Sequence, residues 1–332
     1  MIFWLGIALL LAGPLVAALV LLYYFWHIRV AYMAEVLRIF KEKPLFIIPR
    51  GQPVENAERV EVKAADGRRL NGCYLKCEGK RRGVILFGLE FGSNCGSARH
   101  YCEHLLAAGY DVFALEPRAQ ADSETQPGYE PMQWVTEYEV ADARAAIAWL
   151  KGRPDAEPLG IGFFGISKGA GAGLIAAADD PYVLCFATDG MFGTRTTATP
   201  YMRHWFRIYN KEFPREWIEE WVYRVILRYV LWRVGRERRC RFPSLERAMP
   251  KLAPRPLLMI HGEGDSLIKP DMARALHALA REPKELWIVP GAKHNQGLAV
   301  AGEEYRQRVL DFFDKNLGGP QRVPAPALAH GS

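Results

Sequence analysis

The chain has 332 residues, 50% of them hydrophobic and 24% charged, with a formal net charge of +6 at pH 7. That balance excludes a wholly disordered chain and leaves room for one large domain or two small ones with a sizeable buried core. Six cysteines, at 73, 77, 95, 102, 185 and 240, form no Cys-x-x-Cys pair and no His spacing suited to zinc, so no metal site is expected.

From Ile2 to Trp26 no residue carries a formal charge. At helical rise this run is long enough to cross a hydrocarbon core of about 30 Å. A cleavable signal would want a basic leader and a shorter apolar stretch, so residues 1–27 read as a transmembrane anchor. Tyr23, Tyr24 and Trp26 make an interfacial belt, and His27, Arg29, Arg38, Lys41 and Lys43 follow. By the positive-inside rule the anchor is a single pass of the cell membrane with the catalytic body in the cytoplasm.

A basic connector is expected over 28–57. Beyond it, Arg59–Val62 and Leu70–Lys76 flank the turn Asp66-Gly67 and predict an antiparallel hairpin. Cys73 and Cys77 would lie about 13 Å apart on the second strand, too far for a disulfide; a Cys95–Cys102 bridge stays open. Strand-like and helix-like segments then alternate: strand Val84–Phe87, helix Ala98–Ala108, strand Asp111–Leu115, helix Val135–Lys151, strand Leu159–Phe164, an Ala-rich helix over 170–178, and strand Tyr182–Thr188. Alternation resumes at Pro256 with strand Leu257–Ile260, helix Met272–Ala280, strand Glu285–Val289 and helix Glu303–Leu317. This pattern predicts an α/β class, a doubly wound, mostly parallel sheet over 58–190 and 251–318. Residues 319–332 read as a flexible tail.

Between the two halves, 191–250 reads as a helical cap. It holds eleven Lys/Arg against five Glu between Arg203 and Arg241. Apolar residues at 217, 218, 221, 222, 225, 226, 229 and 230 predict a helical stripe buried on the domain below. Trp217, Trp221, Trp232 and the Arg236–Arg241 cluster also suit anionic lipid headgroups. Nucleic acid is not expected, because the basic charge is local to an apolar helix and no binding motif accompanies it.

Gly165-Ile166-Ser167-Lys168-Gly169 sits where a strand gives way to a helix. A nucleophile elbow turns so sharply that residues two before and two after the serine must lack side chains, and glycines fill both positions. Downstream, two more strands end in His261-Gly262-Glu263-Gly264-Asp265 and Pro290-Gly291-Ala292-Lys293-His294. Strand ends converge in such a sheet, so Ser167, Asp265 and His294 can meet as nucleophile, acid and base. Asp189 is a rival acid, and His261 is read as support for the Asp265 turn. Oxyanion donors are expected from the backbone N–H of Lys168 and, in the loop after Val84–Phe87, of Leu89, with Glu90 as second choice.

On these motifs, and on a closing helix ending Val309-Leu310-Asp311-Phe312-Phe313, residues 60–317 resemble the α/β-hydrolase-fold serine hydrolases, the broad group of esterases, lipases and serine aminopeptidase-like enzymes. The resemblance implies no cofactor, a water-dependent acyl-enzyme cycle and a cap that shapes the substrate pocket. Two departures stand out. Phe87-Gly88 replaces the His-Gly of many members, and Glu116-Pro117-Arg118-Ala119-Gln120-Ala121-Asp122-Ser123 replaces Asp-x-Arg-Gly-x-Gly-x-Ser, a loop poorer in glycine. Glu90 is unusual beside an oxyanion loop and suits an ion pair or a cationic substrate group. The expected function is a membrane-anchored serine hydrolase for an ester, thioester or amide of a small-molecule or lipid-like acyl substrate. An acyltransferase using the same acyl-enzyme and a non-catalytic, membrane-tethered binding module are the alternatives.

Overall fold

A computed structural model describes residues 2–31, 33–42, 51, 57–209 and 219–317. The chain divides into two compact units, Met1–Lys43 and Pro44–Ser332.

The first unit is helical. Helix α1 runs Ile2–Ala31, past the expected aromatic belt, and α2 runs Met33–Lys41, inside the segment expected to be a connector. Leu15, Val16, Leu19 and Leu22 of α1 are exposed. Among the described residues no helix is long and apolar enough to cross a membrane, so the expected span over 1–27 is not supported by the structure. The side chains of 2–11 lie outside the described ones.

The second unit carries an eight-stranded sheet in the order β1-β2-β4-β3-β5-β6-β7-β8. Its strands are β1 Glu58–Lys63, β2 Arg69–Leu75, β3 Gly83–Gly88, β4 Tyr110–Leu115, β5 Ile161–Ile166, β6 Val183–Asp189, β7 Leu257–Gly262 and β8 Lys284–Val289. β1 and β2 form the expected hairpin and pair antiparallel, as β2 and β4 also do; all other pairings are parallel. β4, β5 and β7 are buried at every position, because helices cover both faces and no alternation survives. The period of two shows instead in which face each residue serves. Val84 and Leu86 join Phe113, Ile147 and Leu174 on one side, while Ile85 and Phe87 join Phe164, Val309 and Phe313 on the other.

Helices α4 (Glu137–Gly152), α5 (Ser167–Ala177) and α9 (Pro270–Ala278) supply the first side, and α3 (Ser97–Ala107) and α10 (Gly297–Leu317) the second. Thr136 starts α4 with a capping box closed by Glu139. Gly302, at φ 53°, breaks α10, so the regular part begins at the predicted Glu303.

The cap expected over 191–250 contains α6 (Thr194–Tyr209), α7 (Glu220–Glu237), α8 (Leu245–Ala248) and a 3-10 turn, Met249–Lys251. Its apolar stripe differs from the expected one. α7 buries Val222, Tyr223, Leu227, Val230 and Val234, whereas Trp221 and Val225 point outward. The apolar arc of this helix is wider than the contact it makes, so the spacing alone could not choose the buried side. Positions 217 and 218, and the tail 319–332, lie outside the described residues. All six cysteines are free thiols, including Cys95 and Cys102.

Candidate active site

β5 ends at Ile166 and α5 begins at Ser167, which adopts φ 51°, a left-handed conformation that is rare away from glycine. The flanking glycines have a steric cause. A Cβ on Gly165 would stand 2.6 Å from the Ala170 Cα, and one on Gly169 would stand 2.2 Å from the carbonyl oxygen of Leu89. The segment expected to supply the second oxyanion donor is thereby pressed against the elbow. Lys168, the other expected donor, is the second residue of α5.

Ser167 Oγ lies 3.0 Å from His294 Nε2, and His294 Nδ1 lies 2.6 Å from Asp265 Oδ2. A neutral imidazole protonated at Nδ1 donates to Asp265 and leaves Nε2 free to accept the serine proton. Asp265 is itself held, since Oδ1 accepts the N–H groups of Leu267 (2.9 Å) and Ile268 (2.8 Å). His261 supports the same turn, with Nε2 2.6 Å from the Ile268 carbonyl oxygen and 3.4 Å from Asp265 Oδ2. Burial pushes its imidazole pKa down, which keeps the ring neutral. The acid and base loops are also bound to each other: Glu263 N–H donates to the Val289 carbonyl (2.9 Å) and Gly264 N–H to that of Ala292 (2.8 Å).

The rival acid Asp189 ends β6 and is bonded to a different partner. It accepts the Tyr305 hydroxyl at 3.0 Å, and burial pushes its carboxyl up to about 7, against the Tyr305 hydrogen bond and the His294 charge. Glu90, the second-choice donor residue, is buried and accepts Asn295 Nδ2 at 3.0 Å. Burial raises its pKa, opposed by Asn295, His294 and Tyr101. Burial, with a lesser contribution from the Asp265 carboxylate, raises the hydroxyl pKa of Tyr201 in α6.

Two features escaped the sequence reading. Asn295 sits beside the base at φ 56° and links it to Glu90; an Asn next to a candidate His was its one visible sign. The Lys168 side chain is the second. It is buried, and its Nζ donates to the Met132 carbonyl (2.7 Å) and to Glu139 Oε1 (2.8 Å). Glu139 Oε2 accepts the Thr136 N–H (2.8 Å) and hydroxyl (2.6 Å), and Tyr129 also donates to this carboxylate. Burial works to raise the Glu139 pKa, but the ammonium and these donors prevail and hold it below the ordinary carboxylate value. The pair fastens the residue after the serine to the start of α4. Among the described residues no group of His, Cys, Asp and Glu could hold a metal ion.

Comparison with known proteins supports the fold. The sequence pattern of the prolyl oligopeptidase family (peptidase family S9) matches residues 103–320. An uncharacterized protein of Mycobacterium tuberculosis is 26% identical over 284 residues, covering 82% of this chain and 87% of its own length. The uncharacterized protein YfhR of Escherichia coli K12 is 26% identical over 266 residues, covering 78% of this chain and 81% of its own. Among solved structures, the Pyrococcus furiosus esterase Pf2001 superposes with a TM-score of 0.58 at 20% identity, covering 82% of this chain and 100% of that one. The α/β hydrolase GrgF of a Penicillium species gives a TM-score of 0.61 at 17% identity, covering 80% and 100%.

Proposed function

The chain belongs to the prolyl oligopeptidase family, a hydrolase family with the α/β-hydrolase fold, and from that premise we propose a serine hydrolase acting through Ser167, His294 and Asp265. The observation that carries the proposal is the unbroken hydrogen-bonded line from Ser167 Oγ through His294 to Asp265. Ser167 Oγ attacks the acyl carbon as His294 Nε2 takes its proton. The imidazolium, steadied by Asp265, returns that proton to the leaving group as the carbon–heteroatom bond breaks. Water then repeats the sequence on the acyl-serine and releases the acid. The Lys168 and Leu89 N–H groups are the proposed donors to the oxyanion.

A carboxylic ester or thioester with a sizeable apolar acyl part is placed ahead of a peptide bond. The Pyrococcus fold neighbour is named an esterase, the cap carries an apolar stripe, and the N-terminal run is apolar in sequence. The run Ile2–Trp26 is proposed as a membrane anchor with the hydrolase body on the cytoplasmic side, on the strength of its uncharged length and the basic residues after it.

A fluorophosphonate probe tests the chemistry. The intact protein should be labelled, and Ser167→Ala should lose labelling and reduce ester hydrolysis by about 10³-fold or more. An unreactive wild-type protein, or a labelled Ser167→Ala variant, removes the proposal.

A further inference from the structure

Helix α7 turns an unusual surface to solvent. At 100° per residue, the exposed side chains of Trp221, Arg224, Val225, Arg228, Trp232 and Arg236 fall within one arc of about 120° that also holds buried Gly235, opposite Tyr223, Leu227, Val230 and Val234. The apolar members of that arc are well exposed: Trp221 48%, Val225 40% and Trp232 54%. A helix resting on a hydrolase core normally presents carboxylates and lysines outward. Here the outward arc holds two indoles, a valine and three guanidiniums. The two acids of the helix stand at its ends. Glu220 pairs with Arg224 (3.3 Å) and with Arg203 of α6 (3.6 Å), and Glu237 is the last residue.

From this we propose that the outward arc of α7 docks on an anionic lipid surface. Tryptophan is favoured at the boundary between headgroups and acyl chains, where its ring is half in hydrocarbon and its N–H stays wet. Arginine completes the match, because its planar fork binds phosphate in a bidentate manner and is weakly hydrated for a cation. The Arg236 guanidinium already lies over the Trp232 ring, 5.5 Å from its centroid, and Tyr229 is 5.8 Å from the same ring. At that end of the arc an aromatic and a cationic group therefore adjoin. The three guanidiniums set the sign of the partner, and the intervening Trp221, Val225 and Trp232 set its kind: phosphates backed by hydrocarbon.

The test distinguishes this surface from the N-terminal run and from Ser167. The full chain carries Val225→Cys in a Cys77→Ser background, the other five thiols being buried, with an environment-sensitive dye on the new thiol. Vesicles of phosphatidylcholine alone are compared with vesicles containing 30% phosphatidylglycerol. The dye should shift to shorter wavelength on the anionic vesicles only. Arg224→Glu/Arg228→Glu/Arg236→Glu should weaken that response by about tenfold or more, with fluorophosphonate labelling of Ser167 unchanged as the control for folding. Insertion of α1 alone predicts the same dye signal on both vesicles and would overturn the proposal, as would no shift on either. A shift that grows with protein concentration without lipid would assign the face to a second copy instead.

Discussion

Asp265 and Asp189 show how a contact of one hydrogen bond separates two candidates that look alike in sequence. Both follow a strand, but Asp265 Oδ2 lies 2.6 Å from the imidazole Nδ1, while Asp189 Oδ2 accepts the Tyr305 hydroxyl. Asp265→Asn should therefore lower kcat/KM by about 10³–10⁴-fold through loss of the tautomer-fixing acceptor. Asp189→Asn should change activity little and act on stability. Its folded-state pKa of about 7 lies above the model-peptide value of 3.8, so the folded protein holds the proton more tightly than the unfolded chain. The resulting stabilisation is full below about pH 4 and is lost as pH rises through 7. Urea unfolding at pH 4.5 and 7.5 should show the wild-type protein losing a few kcal/mol relative to Asp189→Asn over that interval. Parallel profiles would contradict this account.

At the scale of elements, the loop after β4 shows what a departure in sequence becomes in structure. Ala119 and Ala121 stand where the hydrolase pattern has glycines, and they adopt φ 57° and 46°. The backbone has kept the left-handed turns and lost the residue suited to them. Ala119→Gly and Ala121→Gly should each relieve about 1–2 kcal/mol of strain against about 0.5–1 kcal/mol of extra unfolded-state entropy. A net gain of up to about 1 kcal/mol is expected by denaturant titration, and a loss in both variants would sink the argument. The loop is otherwise firmly held, since Arg118 reaches Asp142 and Asp66 and Glu116 accepts the N–H groups of Cys95 and Asp122. Most strands and helices of the sheet were legible to within a residue or two, because runs such as Leu257–Ile260 are apolar throughout and bounded by Gly or Pro. The elbow was legible because its glycines are compulsory. The buried side of α7 was not, since apolar residues occupy more of its circumference than the contact uses. Nor were Lys168–Glu139 and Glu90–Asn295, pairs separated by 29 and 205 positions that only the folded domain brings together.

The molecule as a whole joins a helical N-terminal unit to a hydrolase body. If Ile2–Trp26 anchors the chain as proposed, the full protein should remain with sealed vesicles through alkaline carbonate, and protease added on the cytoplasmic face should reach the body. Release by carbonate would remove the anchor proposal. Within the body, the three side chains of the proposed triad come from distant parts of the chain, as β5, β7 and β8 each contribute one end. Ser167 precedes His294 by 127 positions. A chain made from its N-terminus at about 5–20 residues per second therefore carries the serine for roughly 6–25 s before the imidazole exists. On the proposed triad, Ser167 is an ordinary hydroxyl throughout that interval, present in the chain well before it can become a nucleophile.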